Sequence, residues 1–90
     1  MTDIKRTIQE RHETHGDYTR QAATATAIRE AMFAAPNWDA LSDVQHDALL
    51  MIAVKVSRIL NGDPDLHDSW WDIAGYATLV ADRLRKDEHK

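Results

Sequence analysis

The sequence predicts an all-α protein, and three observations carry that prediction. Strand-like alternation of β-branched residues is nearly absent, whereas Ala, Arg, Glu, Leu and Met are plentiful. The 3 glycines and 2 prolines separate stretches in which apolar residues recur at helical spacing. The length of 90 residues allows one domain, with residues 86–90 as a frayed tail. We therefore expect one compact bundle of four main helices with up-and-down character.

The first two helices are predicted on either side of Gly16. The first runs over residues 3–15, and Gly16 ends it. The second runs from residue 17 to residue 34 or 35, with Asp17 as its N-cap. Pro36 ends this helix because a proline keeps the preceding residue out of the α region. We expect Trp38, in the turn that follows, to cover the end of the bundle.

The third helix has the clearest start signal in the chain. Ser42 at the N-cap and Gln45 at N3 form a capping-box pattern, and Gly62 ends the helix near residue 60 or 61. Leu50 and Val54 lie opposite a broad apolar face, so this helix is apolar on both sides. A chain this short cannot easily surround one helix. The second face therefore predicts self-association into a homo-oligomer, a dimer or larger.

The fourth helix is predicted from residue 68 or 69 to about residue 85. Ser69 with Asp72 at N3 resembles a second capping box. The apolar positions of this helix share one stripe, formed by Trp70, Ile73, Ala77, Val80, Ala81 and Leu84.

Composition excludes several classes of function. Without cysteine there is no disulfide, thiol nucleophile or thiolate zinc site. The histidines show no zinc-binding spacing, and no P-loop, GxGxxG or GxSxG motif occurs. A net charge of -4 argues against nucleic acid as a partner. No apolar run approaches the roughly 20 residues that span a bilayer, and no secretory signal is present, so we expect a cytoplasmic protein.

Lys55 is the most unusual residue of the third helix. Its rotation places it beside Ala48 and Met51 in the apolar face, with Arg58 at the same edge. A lysine there extends its ammonium to the rim, pairs with a carboxylate of the fourth helix, or binds a phosphate.

Asp68 and Asp72 are the carboxylates that face such a cation. They lie four residues apart and share a helix face, which Tyr76 continues. Three interpretations stay open: the helix N-terminus stabilises both, they form salt bridges with Lys55 and Arg58, or they bind a divalent cation.

A second polar cluster is predicted where the first helix gives way to the second. Helix capping by His15 and Asp17 is one interpretation, and an anion site at the free backbone amides is the other. The residues grouped in this cluster are Glu10, Arg11, His15, Asp17 and Tyr18, together with Tyr76 of the fourth helix.

Four segments resemble a family of small phage and prophage proteins of unknown function, which carries ER...HGDY, K..RI..G and D.W.DIAGY. The segments are ERHETHGDY (10–18), NWDAL (37–41), ALLMIAVKVSRILNGDP (48–64) and DSWWDIAGYATL (68–79). More distantly, this pattern is similar to the MazG-like all-α nucleoside triphosphate pyrophosphohydrolases.

The MazG-like resemblance implies Mg²⁺ held by carboxylates on two facing helices, with a metal-activated water attacking the nucleotide phosphates. Asp72, followed by Tyr76, matches the aspartate of one acidic motif, whereas Asp68 stands at i−4 instead of the expected i−3 glutamate. The EExxE motif of the preceding helix is missing, and Lys55 and Arg58 occupy that region.

Two hypotheses of function follow. The first is a Mg²⁺-dependent nucleoside triphosphate pyrophosphohydrolase, with Asp68 and Asp72 as metal ligands, Glu10 or Asp17 assisting, and a cationic pair facing the phosphates. The second is a non-catalytic helical module that acts through oligomeric interaction or nucleotide binding. In it, the same basic and acidic side chains form an ion-pair network between helices.

Overall fold

The computed structural model describes residues 4–7 and 17–88. Residues 4–7 are helical and are labelled α1. Three longer helices follow: α2 (Tyr18–Ala34), α3 (Asp43–Asn61) and α4 (His67–Glu88), with a 3-10 turn at Trp38–Ala40 between α2 and α3. The described residues contain no strand, so the all-α prediction is confirmed. Most of the first predicted helix, residues 3–15, lies outside the described residues.

Local signals set both ends of α2. The Asp17 carboxylate accepts a hydrogen bond of 2.8 Å from the backbone N–H of Thr19, which makes Asp17 the N-cap. At the other end Ala35, which precedes Pro36, is extended with φ −73° and ψ 144°. Both predictions for this helix are confirmed.

The capping box of α3 is formed in full. The Ser42 hydroxyl accepts a hydrogen bond of 3.1 Å from the backbone N–H of Gln45. The Gln45 side-chain oxygen accepts one of 2.9 Å from the backbone N–H of Ser42. Two donors that the helix start leaves unpaired are thereby satisfied, and α3 runs to Asn61 before Gly62 as predicted.

The start of α4 differs from the prediction. The helix begins two residues before Ser69, which is buried inside the first turn and is not an N-cap. A tight turn decides this start: the Asp63 carboxylate accepts a hydrogen bond of 2.9 Å from the backbone N–H of Asp65. The Trp70 indole N–H donates to the carbonyl of Pro64 at 2.7 Å. The other end of α4 continues into the segment predicted as a frayed tail.

Of the three long helices, α3 is the one that contacts both of the others. Ala53 and Ser57, both buried, are on the side of α3 that carries Asn61, and the Asn61 amide donates to the Thr24 hydroxyl of α2 at 2.9 Å. Ala48 and α4 lie about half a turn of the helix away from this side. The second apolar face of α3 is thus covered by α2 of the same chain, and self-association does not follow from that face.

The chain is more extended than the compact bundle that the sequence predicts. The extents are 53 × 27 × 25 Å and the radius of gyration is 15.7 Å, whereas a compact chain of this length has about 12 Å. The buried apolar residues are small: among the described residues they are Ala25, Ala48 and Ala53. None of the described helices combines the length and the apolar character needed to cross a bilayer.

Trp38 joins the end of α2 to the start of α3. Its ring packs edge-on against Phe33 at 5.0 Å and stacks on His46 at 4.3 Å between ring centres. Nε2 of His46 lies 2.6 Å from the Trp38 carbonyl oxygen. That oxygen can only accept, so Nε2 carries the proton. The half-buried Trp38 covers this end of the helices, as expected.

Candidate functional site

One ion pair joins α3 to α4. Lys55 Nζ lies 3.0 Å from Oδ2 of Asp72. The Lys55 side chain is only 13% exposed, whereas that of Asp72 is 42% exposed. The lysine is therefore the sheltered partner, and the aspartate supplies its counter-charge while keeping contact with water. The pair links the middle of α3 to the second turn of α4.

The other predicted carboxylates lie apart from this pair. The Asp68 side chain is 85% exposed and lies 3.6 Å from Nδ1 of its neighbour His67. Asp17 caps α2, on the far side of α3. Within residues 4–7 and 17–88, no three His, Cys, Asp or Glu side chains come together to hold a metal ion. These residues therefore do not supply the ligand set that Mg²⁺ requires, and Glu10 lies outside the described residues.

Arg58 does not share the Asp72 carboxylate. Its Nε is buried and has no hydrogen-bond partner among the described residues. The residue belongs to the last turn of α3, where a cation interacts favourably with the helix dipole. Among residues 4–7 and 17–88, the structure thus brings Lys55, but not Arg58, to an acidic partner.

The predicted polar cluster at the first junction is only partly described. Arg11 and His15 lie outside the described residues. Tyr18 is exposed at the start of α2. Tyr76 is half-buried on α4, where it lines a shallow depression with Trp71 and Asp72. The two tyrosines belong to helices on different sides of α3 and do not form one site.

The sequence did not predict the open apolar groove beside the α3–α4 contact. The groove has a volume of about 360 Å³. Both helices contribute residues at i, i+3, i+4 and i+7 spacing, so two parallel stripes face the same space. We call this surface the α3–α4 groove; its main lining residues are Ala48, Leu49, Ile52, Ala77, Val80 and Leu84.

The side chains that α4 contributes to the α3–α4 groove are more exposed than those of a protein core. Val80 is half-buried, Ala77 is exposed and Leu84 is 48% exposed. The sequence signal was present in the stripe of α4, but that stripe was expected to pack inside a bundle. Part of it instead borders open space, since Ala77, Val80, Ala81 and Leu84 line the groove.

The comparison with family models shows the family to which the chain belongs. A model described as a domain of unknown function, DUF6378, matches residues 1–84. The chain belongs to this family. No curated protein and no solved structure matches this DUF6378 chain. The family description assigns no activity, so any function of this DUF6378 chain has to come from its own geometry.

Two features of this DUF6378 chain have chemical consequences. The Lys55–Asp72 pair holds α4 against α3 and neutralises a sheltered cation. The α3–α4 groove offers apolar surface without a charged side chain in its lining. Covering such a surface with another apolar surface lowers the free energy, because the water in contact with both surfaces is released.

Proposed function

We propose that this DUF6378 chain is a helical interaction module that binds a protein partner through the α3–α4 groove. The observation that carries the proposal is the groove itself: two adjacent helices turn apolar stripes toward one open space with no charged lining residue. Exposed apolar surface of this kind on a small protein marks an interaction site.

The shape of the α3–α4 groove suits a helix as its occupant. Residues at i, i+3, i+4 and i+7 form ridges along α3 and α4, and a third helix can lay its own ridge between them. Ala77 and Ala81 have small side chains on the α4 side of the groove, so the backbone of a partner can approach α4 closely. An amphipathic helix in an apolar groove is a recurrent mode of protein recognition.

In this proposal Lys55 and Asp72 have a structural role. Their ion pair joins α4 to α3 and neutralises the sheltered Lys55 ammonium. The arrangement supports the non-catalytic hypothesis more than the enzymatic one, because the carboxylate best placed for a metal is already paired with an ammonium group.

Mg²⁺-dependent hydrolysis of a nucleoside triphosphate, as the MazG-like resemblance implies, stays a prediction. Its test is pyrophosphate release from a panel of nucleotides with Mg²⁺, measured for the natural chain and for Asp72→Asn. Turnover that Asp72→Asn abolishes would overturn the proposal of an interaction module. We expect no turnover from either chain.

Site-specific photo-crosslinking tests the interaction module directly. A benzophenone amino acid replaces Leu84 in the α3–α4 groove, or Asp82 on another side of α4 as the matched control. After irradiation of cells that produce the chain, we expect a covalent adduct with a protein chain from position 84 and none from position 82. A cross-link only within the same chain, or equal adducts from both positions, would contradict the proposal.

A further inference from the structure

We propose that Asn61 is a modification site, at which the side-chain amide is converted to a carboxylate by attack of the neighbouring Gly62. The two residues form an Asn–Gly pair at the end of α3, and both are half-buried. Opening of the last turn of α3 controls the rate of this reaction, and the product weakens the contact between α2 and α3. The inference goes beyond the proposed function and does not depend on the α3–α4 groove.

The reaction at Asn61 needs only the chain itself and water. The backbone nitrogen of Gly62 forms a bond to Cγ of Asn61, and the side-chain nitrogen leaves as ammonia together with the proton of the attacking N–H. Water then opens the five-membered imide ring at one of its two carbonyls, which gives aspartate or isoaspartate. Glycine hinders the attack least, because no Cβ stands beside its nitrogen.

The folded chain holds Asn61 in a conformation that does not react. Its side-chain nitrogen donates to the Thr24 hydroxyl of α2 at 2.9 Å and to the Ser57 carbonyl at 2.8 Å. Asn61 is also the last residue of α3, and a helical residue has a ψ of about −42°. Ring closure requires the Gly62 nitrogen to lie in one plane with Cα, Cβ and Cγ of Asn61, and a helical ψ turns the nitrogen out of that plane.

The position of Asn61 at a helix end limits this protection. Helix ends open more easily than helix centres, because the last carbonyls lack partners within the helix. The next residue, Gly62, has already left the helical conformation, with φ −139° and ψ −136°. Leu60, in the same last turn, is 67% exposed and adds little apolar burial there. The two hydrogen bonds of the Asn61 amide are therefore the main contacts that opening has to break.

The product cannot restore the contacts of the Asn61 amide. A carboxylate at position 61 has no hydrogen to donate to the Ser57 carbonyl oxygen, which can only accept. It also places a negative charge at the C-terminus of α3, where the helix dipole disfavours anions. Isoaspartate in addition lengthens the main chain between α3 and the turn that leads to α4. Because ammonia is lost, the modified fraction of the chains grows with time.

Peptide mass spectrometry of the full chain, incubated in a mildly alkaline buffer, measures the conversion of amide to carboxylate. Asn37 is an internal control: it is exposed and makes no capping hydrogen bond, but Trp38 follows it. We expect conversion at Asn61 to exceed that at Asn37 clearly, and to be faster in urea than in buffer alone. No conversion at Asn61 in buffer, equal conversion at the two residues, or a rate that urea leaves unchanged would each overturn the proposal.

Two matched substitutions in α2 test whether the contact between α2 and α3 controls the rate. Thr24→Val removes the hydroxyl that accepts from Asn61 and keeps the shape of the side chain. Thr26→Val makes the same change at an exposed position of α2. We expect Asn61 to convert about 2- to 10-fold faster in Thr24→Val, the factor that one net hydrogen bond contributes. Thr26→Val should convert at the natural rate, and equal rates for the two variants contradict control by this contact.

Thermal unfolding followed by circular dichroism tests the effect of the product. Asn61→Asp reproduces one product, and Asn37→Asp adds the same charge away from the contact between α2 and α3. We expect Asn61→Asp to lower the melting temperature by about 5–15 °C and Asn37→Asp to leave it nearly unchanged. Equal melting temperatures for the two variants would overturn the weakening of the α2–α3 contact. Should Thr24→Val prove unfolded, the natural chain with and without urea decides the control of the rate by itself.

Discussion

The unequal burial of Lys55 and Asp72 predicts an unequal response to substitution. Asp72→Asn keeps the shape of the side chain but leaves the Lys55 ammonium, 13% exposed, without its anion. We expect a loss of about 1–2 kcal/mol in the free energy of unfolding, because a sheltered charge without its partner is costly. Lys55→Met keeps an unbranched apolar stem, and the 42% exposed Asp72 returns to water. It should cost less than about 1 kcal/mol.

Thermal unfolding at one fixed chain concentration measures these differences. Asp72→Asn should lower the melting temperature by about 4–15 °C, given roughly 4–8 °C per kcal/mol for a domain of this size. The matched control is Asp82→Asn, which removes the solvent-exposed Asp82–Arg85 pair from the same helix and should cost below about 0.5 kcal/mol. The reasoning is refuted if Lys55→Met is the more damaging change, or if Asp72→Asn behaves like Asp82→Asn.

Four further substitutions test the helix ends and the packing by urea unfolding at one chain concentration. Ser42→Ala removes half of the capping box and should cost about 1 kcal/mol; no change would mean that the box is not formed in solution. His46→Ala loses the stack and the hydrogen bond to Trp38 and should cost about 1–2 kcal/mol. Ala53→Leu should cost about 1–3 kcal/mol because Ala53 is 1% exposed, and a stable variant would disprove close packing there. Gly75→Ala should instead stabilise α4 by about 0.5–1 kcal/mol, since the added methyl meets nothing.

The helix ends were predictable where the signal is local. Asp17 and Ser42 cap helices through bonds to residues two and three positions away, and Pro36 acts on its immediate neighbour. Ser69 shows the limit of such signals. Its capping pattern is present, but the turn around Pro64 starts α4 earlier and places Ser69 inside the helix.

The arrangement of the helices could not be predicted from periodicity. The apolar pattern of α3 predicts that two sides of this helix are buried, but it does not predict which element covers each side. A second chain and α2 of the same chain are both compatible with this pattern. Contacts between residues far apart in sequence determine which helix covers which side of α3; the hydrogen bond from Asn61 to Thr24 is one example. Such contacts cannot be read from the local spacing of apolar residues.

The sequence predicts that Lys55 pairs with a carboxylate of the fourth helix, but it does not distinguish Asp72 from Asp68. Helical rotation places Lys55 in an apolar face, and the structure puts its ammonium against Asp72. Asp68 shares a helix face with Asp72, so rotation cannot distinguish between the two. The axial position of α4 along α3 makes the distinction, and that position depends on the length and shape of the turn at residues 62–66.

The central position of α3 has a consequence for how the sequence can change over time. Since α2 and α4 meet α3 on different sides, substitutions in the two outer helices share few neighbours, and their effects on stability should add. Each outer helix can then accumulate changes at its own pace. Substitutions in α3 must satisfy both neighbours at once, so this helix should tolerate the fewest.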